Sequence, residues 1–348
     1  KTCTVVSGNK IVVVVNSNDP TSDALANAYI SAWQLPSSYK IIVALGSSPV
    51  LTSSTQLSTA SNLIKAKATE LGTTNVVLCW KTPSKFNIWG ASAEADKAQA
   101  ITSALVVGPR DPTLYSPSAT YQNLSGPTLT PVLLWSTDQI KATAHKTKPQ
   151  GKWIIIAAKD VSATYRGTAI ANVSTTAKNR ADVLYIDNRS DTRIAAGENQ
   201  FNNLSDEMFR LKNKVPAPSC CPNIGPEPNV LGYFGSMYVL CCPSDQIYVN
   251  GWGAFSFTSF SGEVTNVGQA QTDFTFFANP NGRSSGAAWT GGPVSEPSSR
   301  LEDQCISPNL FIPYMVDQKT TYGKAMWASV KCSDRFLFVG DPLCAPWQ

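Results

Sequence analysis

Lys10-Ile-Val-Val-Val-Val15 decides the fold class. It is a continuous apolar run of strand length, rich in β-branched residues, and such a run belongs in a strand covered on both faces. A helix is expected next. Asp19-Pro20 offers a cap and a proline at the first helical position, after which Leu25, Ala26, Tyr29, Ile30 and Trp33 fall on one face. Lys40-Ile-Ile-Val-Ala-Leu45 reads as a second strand. Leu57, Ala60, Ile64, Ala68 and Leu71 then repeat at helical spacing up to Gly72, which stands where a helix would end. Val76 to Cys79 makes a third strand. A β-α-β-α-β order implies parallel pairing and right-handed crossovers, hence an α/β fold with a mostly parallel sheet flanked by helices.

Working outward, Ser92 is placed to cap a helix running through Ala100 to about Ala104, and residues 132–135 read as a strand. Ser136 with Gln139 forms a capping box for a helix reaching about Lys146. Residues 153–158 and 183–187 are further buried strands around a helix over 163–178, and another amphipathic helix carries Phe201, Leu204, Met208 and Leu211. Residues 1–214 therefore form the α/β core. Residues 215–230 are a Pro- and Cys-rich connection, and residues 231–348 complete the same core in a different texture, rich in Gly, Ser and aromatics. In 253–260 Phe alternates with small residues, as it does when it packs one face of a sheet. The competing reading is a sugar-binding aromatic stripe that uses Trp252 and Trp289. Residues 322–330 read as a helix and 336–339 as a last strand, stopped by Gly340-Asp-Pro342.

Composition narrows the setting. Only 15% of residues are charged, and the 28 basic and 24 acidic side chains are scattered without blocks, so the net charge of +4 makes no footprint for nucleic acid. No apolar run reaches bilayer length, and the start at Lys1 without Met reads as a chain whose leader has been removed. The nine cysteines, most in Pro- and Gly-rich context, suit disulfides in an oxidising compartment. Cys79 lies inside an apolar run and is the expected free thiol. The other eight, Cys344 among them, are expected to pair, which would make the C-terminal third an irregular, disulfide-containing part. Sequons at Asn123, Asn172, Asn188 and Asn203 are compatible with glycosylation.

Four patches carry a family resemblance: Val12-Val-Val-Val-Asn-Ser-Asn-Asp-Pro20 with its helix, Gly232-Tyr-Phe-Gly-Ser236, Gly286-Ala-Ala-Trp289 leading to Ser295-Glu-Pro297, and Phe338-Val-Gly-Asp-Pro-Leu-Cys-Ala-Pro-Trp347. They resemble an uncharacterised family of secreted, mostly bacterial proteins that close with a GDPLxxPF-like tail; here Trp347 replaces the Phe. That family is in turn distantly similar to the caspase-like fold of gingipain-type cysteine peptidases. The resemblance implies a three-layer sandwich and a secreted location and no chemistry, while the low charge and the abundance of Ser, Thr and Asn suit a secreted, surface or virion-associated protein.

Chemistry is then sought in the residues. A gingipain-like peptidase needs a His and a Cys at the carboxyl ends of neighbouring parallel strands. The single histidine, His145, is expected on a polar helix that precedes a strand. A dyad of His145 with Cys79 or Cys242 is the sharp alternative to a catalytic set of none. With one His and no CxxC, the common zinc sites lack ligands, and neither a P-loop nor a GxGxxG follows a strand, so no cofactor or metal is implied. Gly282-Arg-Ser-Ser-Gly286 matches GxSxG but lies in loop-like sequence, upstream of no histidine. Glu296 and Asp341 are the carboxylates best placed for chemistry, and Asp341 before Pro342 reads more simply as a turn residue bonding its own backbone. The expectation is a noncatalytic extracellular structural or adhesive protein, a surface, filament or virion component. Its partner would be itself or another protein. The alternatives are a secreted cysteine peptidase-like hydrolase and a glycan-binding module.

Overall fold

The valine run forms β1 (Val12–Asn16), buried along its whole length. α1 (Ser22–Trp33) follows, then β2 (Lys40–Val43), the short β3 (Val50–Leu51), α2 (Ser54–Leu71) and β4 (Asn75–Leu78). β1 lies between β2 and β4 and is parallel to both, as the β-α-β-α-β pattern requires. Val12 and Val14 pack with Val76, Leu78 and the α2 residues Leu57, Ala60, Ile64 and Ala68. Val13 and Val15 pack on the opposite side, with Val77, Cys79 and the α1 residues Leu25, Ala26 and Tyr29. The computed structural model describes residues 10–90, 98–110, 129–134, 136–140, 151–157, 183–187, 228–235, 247–256, 261–262, 287–295, 306, 308–316, 318–330, 333–345 and 347.

Helix ends follow local chemistry. Ser53 Oγ accepts from Gln56 N at 3.2 Å at the start of α2, and Gly72 closes it in the left-handed conformation at φ 62°. α1 begins later than Asp19-Pro20 suggests. The Asp19 carboxylate is taken by Thr21 N, Thr21 Oγ1 and Lys81 N, so it ties down the loop instead of capping the helix.

β5 (Lys85–Phe86) and β6 (Gln99–Ala100) join β3 in a small three-stranded sheet. The helix expected to run through Ala100 therefore starts only at Ile101, as α3 (Ile101–Val107), because Gln99 and Ala100 are extended and pair with Phe86 and Lys85. β7 (Thr130–Leu133) and α4 (Thr137–Ile140) come next, and Gln139 Oε1 accepts from Ser136 N at 3.3 Å, the return half of a capping box. β8 (Lys152–Ala157), β9 (Val183–Asp187), β10 (Val230–Gly235), β11 (Tyr248–Ser256), β12 (Trp289–Pro293), α5 (Pro308–Val316), α6 (Tyr322–Ala328) and β13 (Phe336–Gly340) complete the described elements.

The main sheet has ten strands in the order β2-β1-β4-β7-β13-β12-β11-β10-β8-β9. Every neighbouring pair is parallel except β12 with β13. The sheet is thus two parallel halves of opposite direction, meeting at that one antiparallel pair. α1 covers one face of the first half and α2 with α3 the other, and this α/β architecture is the expected class.

The second half packs aromatics. Trp153, Phe234, Phe255, Trp289, Phe311, Phe336, Phe338 and Trp347 share one core cluster. Gly253 lies opposite Trp289 in the ladder, and a Cβ there would fall 1.9 Å from the indole; Gly232 stands in the same relation to Trp153, at 2.2 Å. The glycine-rich texture is therefore a set of seats for tryptophan rings. The two tryptophans named for a sugar-binding stripe, Trp252 and Trp289, are 1% and 0% exposed and offer no ring face to a ligand.

The disulfide expectation is corrected for Cys344. Cys79 and Cys344 are both buried thiols and not half-cystines, and Cys344 packs among the aromatic core at the C-terminal tail. The remaining seven cysteines, the helices expected over 163–178 and around 201–211, and residues 257–260 of the Phe alternation lie outside the described residues.

Candidate functional site

Open parallel sheets host chemistry outside the carboxyl ends of their strands. In the first half-sheet that edge gathers Asn16, Val43, Cys79, Leu134 and Asp341, each at or just past the end of its strand. α1 and α2 lie on opposite faces, so the crevice between β1 and β4 is where such a fold takes a ligand.

The loops fill that crevice themselves. Asn16 is fully buried; its Oδ1 accepts from Leu45 N at 3.0 Å and Asn18 N at 3.3 Å, while its Nδ2 donates to Thr82 O at 3.1 Å. Ser22 Oγ accepts from Asn16 N at 2.8 Å and donates to Cys79 O. Thr82 Oγ1 donates to Ser47 O at 3.0 Å. One asparagine and one serine thus bind together the loops after β1, β2 and β4. Burial raises the carboxyl of Asp19, but donors from Lys81 N and Thr21 outweigh it and hold the group below its ordinary value, ionised and engaged.

Asp341 forms the second part of the edge. It is completely buried; Oδ1 accepts from Tyr29 Oη at 2.9 Å and Leu343 N at 3.1 Å, and Oδ2 accepts from Trp33 Nε1 at 3.0 Å. Gly340 places it there by taking φ 142°, with no room for a side chain against Ala288 O. Burial pushes the carboxyl up to about 7, against the pull of the three donors. Cys79 sits at the end of β4, wholly buried, and burial and then the negative charge of Asp341 push its thiol far above the ordinary range. Cys344 and Tyr29, which flank the same carboxyl, are raised for the same two reasons. A reactive cysteine needs the reverse: exposure and a lowered pKa.

The structure places Cys79 and Asp341 on one edge. His145, Cys242, Glu296, residues 282–286 and the sequons at Asn123, Asn172, Asn188 and Asn203 lie outside the described residues. No group of three or more metal-ligating side chains occurs among the described residues, and no described helix is long and apolar enough to cross a membrane. The turn bond of Asp341 to Leu343 N is present. Sequence reasoning missed Tyr29 and Trp33 as its partners, because periodicity registers only their apolar bodies and not the polar tips that reach a residue some three hundred positions away.

No protein-family model matches the chain, and no curated protein does. The family resemblance of the four patches thus gains no support from either comparison. A solved structure described as "Structure of Protease" is similar, with a TM-score of 0.49 and 10% identity, over 98% of this chain and 79% of its own. A likeness that slight bears on neither activity nor substrate.

Proposed function

We propose that this chain is a noncatalytic extracellular protein, a structural or adhesive component of a surface, filament or virion, built on a caspase-like scaffold. The observation that carries the reading is the state of Asp341. It is an acid at a strand end, where a reaction would be run, and it is sealed from solvent with both oxygens engaged by Tyr29, Trp33 and Leu343 N. A group so held serves the fold. The crevice beside it is closed by the protein's own hydrogen bonds, and the thiol that ends β4 is buried with a raised pKa. The low charge of 15%, with many Ser, Thr and Asn residues, supports the extracellular setting.

The test uses the full chain expressed through a secretory route. Peptide libraries and an electrophilic cysteine-peptidase probe are applied in parallel with light scattering and negative-stain microscopy. The expected result is no peptide cleavage, no probe labelling that depends on native structure, and ordered assemblies or adhesion to a surface. Cleavage lost on His145→Ala and on Cys242→Ala would overturn the proposal in favour of a cysteine peptidase.

A further inference from the structure

β13 is joined to its two neighbours unequally. Five residue pairs register it against β12, but only Val339 opposite Leu133 registers it against β7, although β7 shares four pairs with β4. The cause lies in the sequence of β7. Thr130 N and Leu134 N donate toward β4, to Thr74 O and Leu78 O. By alternation, the backbone groups of residues 131 and 133 face β13. Residue 131 is a proline, which has no N–H to give, and its carbonyl accepts from Trp327 Nε1 of α6 at 3.1 Å. Among the described residues, Leu133 alone is left for the ladder.

Side chains supply what the ladder lacks, and they do so at both ends of β13. Beyond its carboxyl end Asp341 takes its bonds from Tyr29 and Trp33 on α1. Before its amino end Asp334 Oδ1 accepts from Ser103 Oγ of α3 at 3.1 Å and Gln99 Nε2 of β6 at 3.3 Å, and Asp334 O accepts from Ala100 N at 2.6 Å. α1 and α3 lie on opposite faces of the sheet. All these partners belong to residues 10–140, whereas the five-pair ladder of β13 is with β12, which belongs to residues 151–347.

We propose that the seam between β7 and β13 is a hinge line, along which the described residues of 10–140 and of 151–347 behave as two bodies, fastened at its two ends by Asp341 and Asp334 and bridged by single bonds from Trp327 to Pro131 O, Thr102 to Phe336 O and Ser295 to Ala98 O. Leu337 and Val339 are buried with Leu133 across the seam, so the closed form dominates and the open form is a minor state.

Hydrogen exchange on the full chain, followed by mass spectrometry, reads this directly. The expected result is that amides of 130–134 and 336–340 exchange through an opening that leaves 12–16 and 75–78 protected. Asp341→Asn should speed exchange at the seam by roughly tenfold or more, because the amide nitrogen that replaces one oxygen cannot accept from Trp33 Nε1 or Leu343 N and one of those bonds is lost, without changing 12–16. Should that variant fail to fold, Tyr29→Phe, Trp33→Phe and Ser103→Ala each remove one donor and carry the same readout. Seam amides that exchange only together with β1 and β4, in wild type and variants alike, would overturn the hinge.

Discussion

The two halves of the sheet reach the same burial by opposite means. β1 and β4 fill the space between helices with valine and leucine, each side chain touching several others of similar size. β8, β10, β11 and β12 instead lay Trp153 over Gly232 and Trp289 over Gly253, so each large ring depends on one particular empty position across the ladder. The aliphatic half is tolerant because its pieces are interchangeable in shape. The aromatic half is specific: a slip of one residue would drive an indole into a side chain.

The largest expected effect breaks that specificity. Trp289→Ala should cost about 3–5 kcal/mol, the range for deleting a buried aromatic, and Gly253→Ala about 1–3 kcal/mol or more through overpacking. Combined with Trp289→Leu, Gly253→Ala should lose most of its cost, since the ring it strikes is gone. Urea unfolding of the four proteins in this cycle checks it, and additive costs would mean that the ring and the glycine do not depend on each other.

The second prediction concerns Asp341, which fastens β13 to α1. The carboxyl of Asp341 stands at about 7 in the folded protein against an ordinary value of 3.8. The folded state therefore holds a proton that the unfolded state releases, and stability is full below about pH 4 and declines as pH rises through about 7. Among the described residues, the groups that face it are Tyr29 and Trp33 of α1, Cys79 after β4, and Leu343 N and Cys344 of the tail. None is a cation that would favour the ionised form. The loss should amount to a few kcal/mol and be absent in Asp341→Asn, measured as urea midpoints from pH 5 to 8.5. Stability that rises over this interval in wild type relative to the variant would contradict the assignment. Asp19, whose pKa is lowered, acts with the opposite sign and only as pH falls toward 3.8, so the two do not overlap.

What could be read in advance divides along the same line. The valine run, the helical spacing of Leu57 to Leu71 and the stop at Gly72 are local signals, and the elements they imply are present with boundaries shifted by a residue or two. β10 and β12 gave no such signal, because Gly232 and Gly291 break any period, and their reason for being strands is a tryptophan or phenylalanine on a neighbour. The site divides likewise. Asp341 was visible as a turn residue from Asp-Pro, but its burial and its bonds to α1 are tertiary facts that no window along the chain contains. Cys79 as a buried, unbridged thiol was legible, since an apolar strand surrounds it.

A smaller change probes the tolerant half. Val14→Ala removes two buried methyl groups from β1 and should cost about 2 kcal/mol, with neighbouring valines sharing the space. Paired with Ala60→Val on α2, part of that cost should return, because aliphatic volume can be traded between these elements. Thermal unfolding of the pair decides it; no recovery would mean that this half is as shape-specific as the other.

The smallest effect compares how each half secures a helix. α2 is capped locally by Ser53, whose hydroxyl is the acceptor at its start, so Ser53→Ala should cost about 1 kcal/mol. α6 also has a capping residue, Thr321, whose Oγ1 accepts from Lys324 N at a longer 3.4 Å. Its first two amides, however, are bound from afar: Tyr322 N donates to Cys344 O at 2.8 Å and Gly323 N to Pro342 O at 3.2 Å. The tail therefore does for α6 what a side chain does for α2, and Thr321→Ala should cost about half as much as Ser53→Ala or less. Chevron or equilibrium urea data on the two variants separate the cases. A Thr321→Ala penalty equal to or above that of Ser53→Ala would show that the tail carbonyls do not hold α6, and that this half, too, is capped by its own sequence.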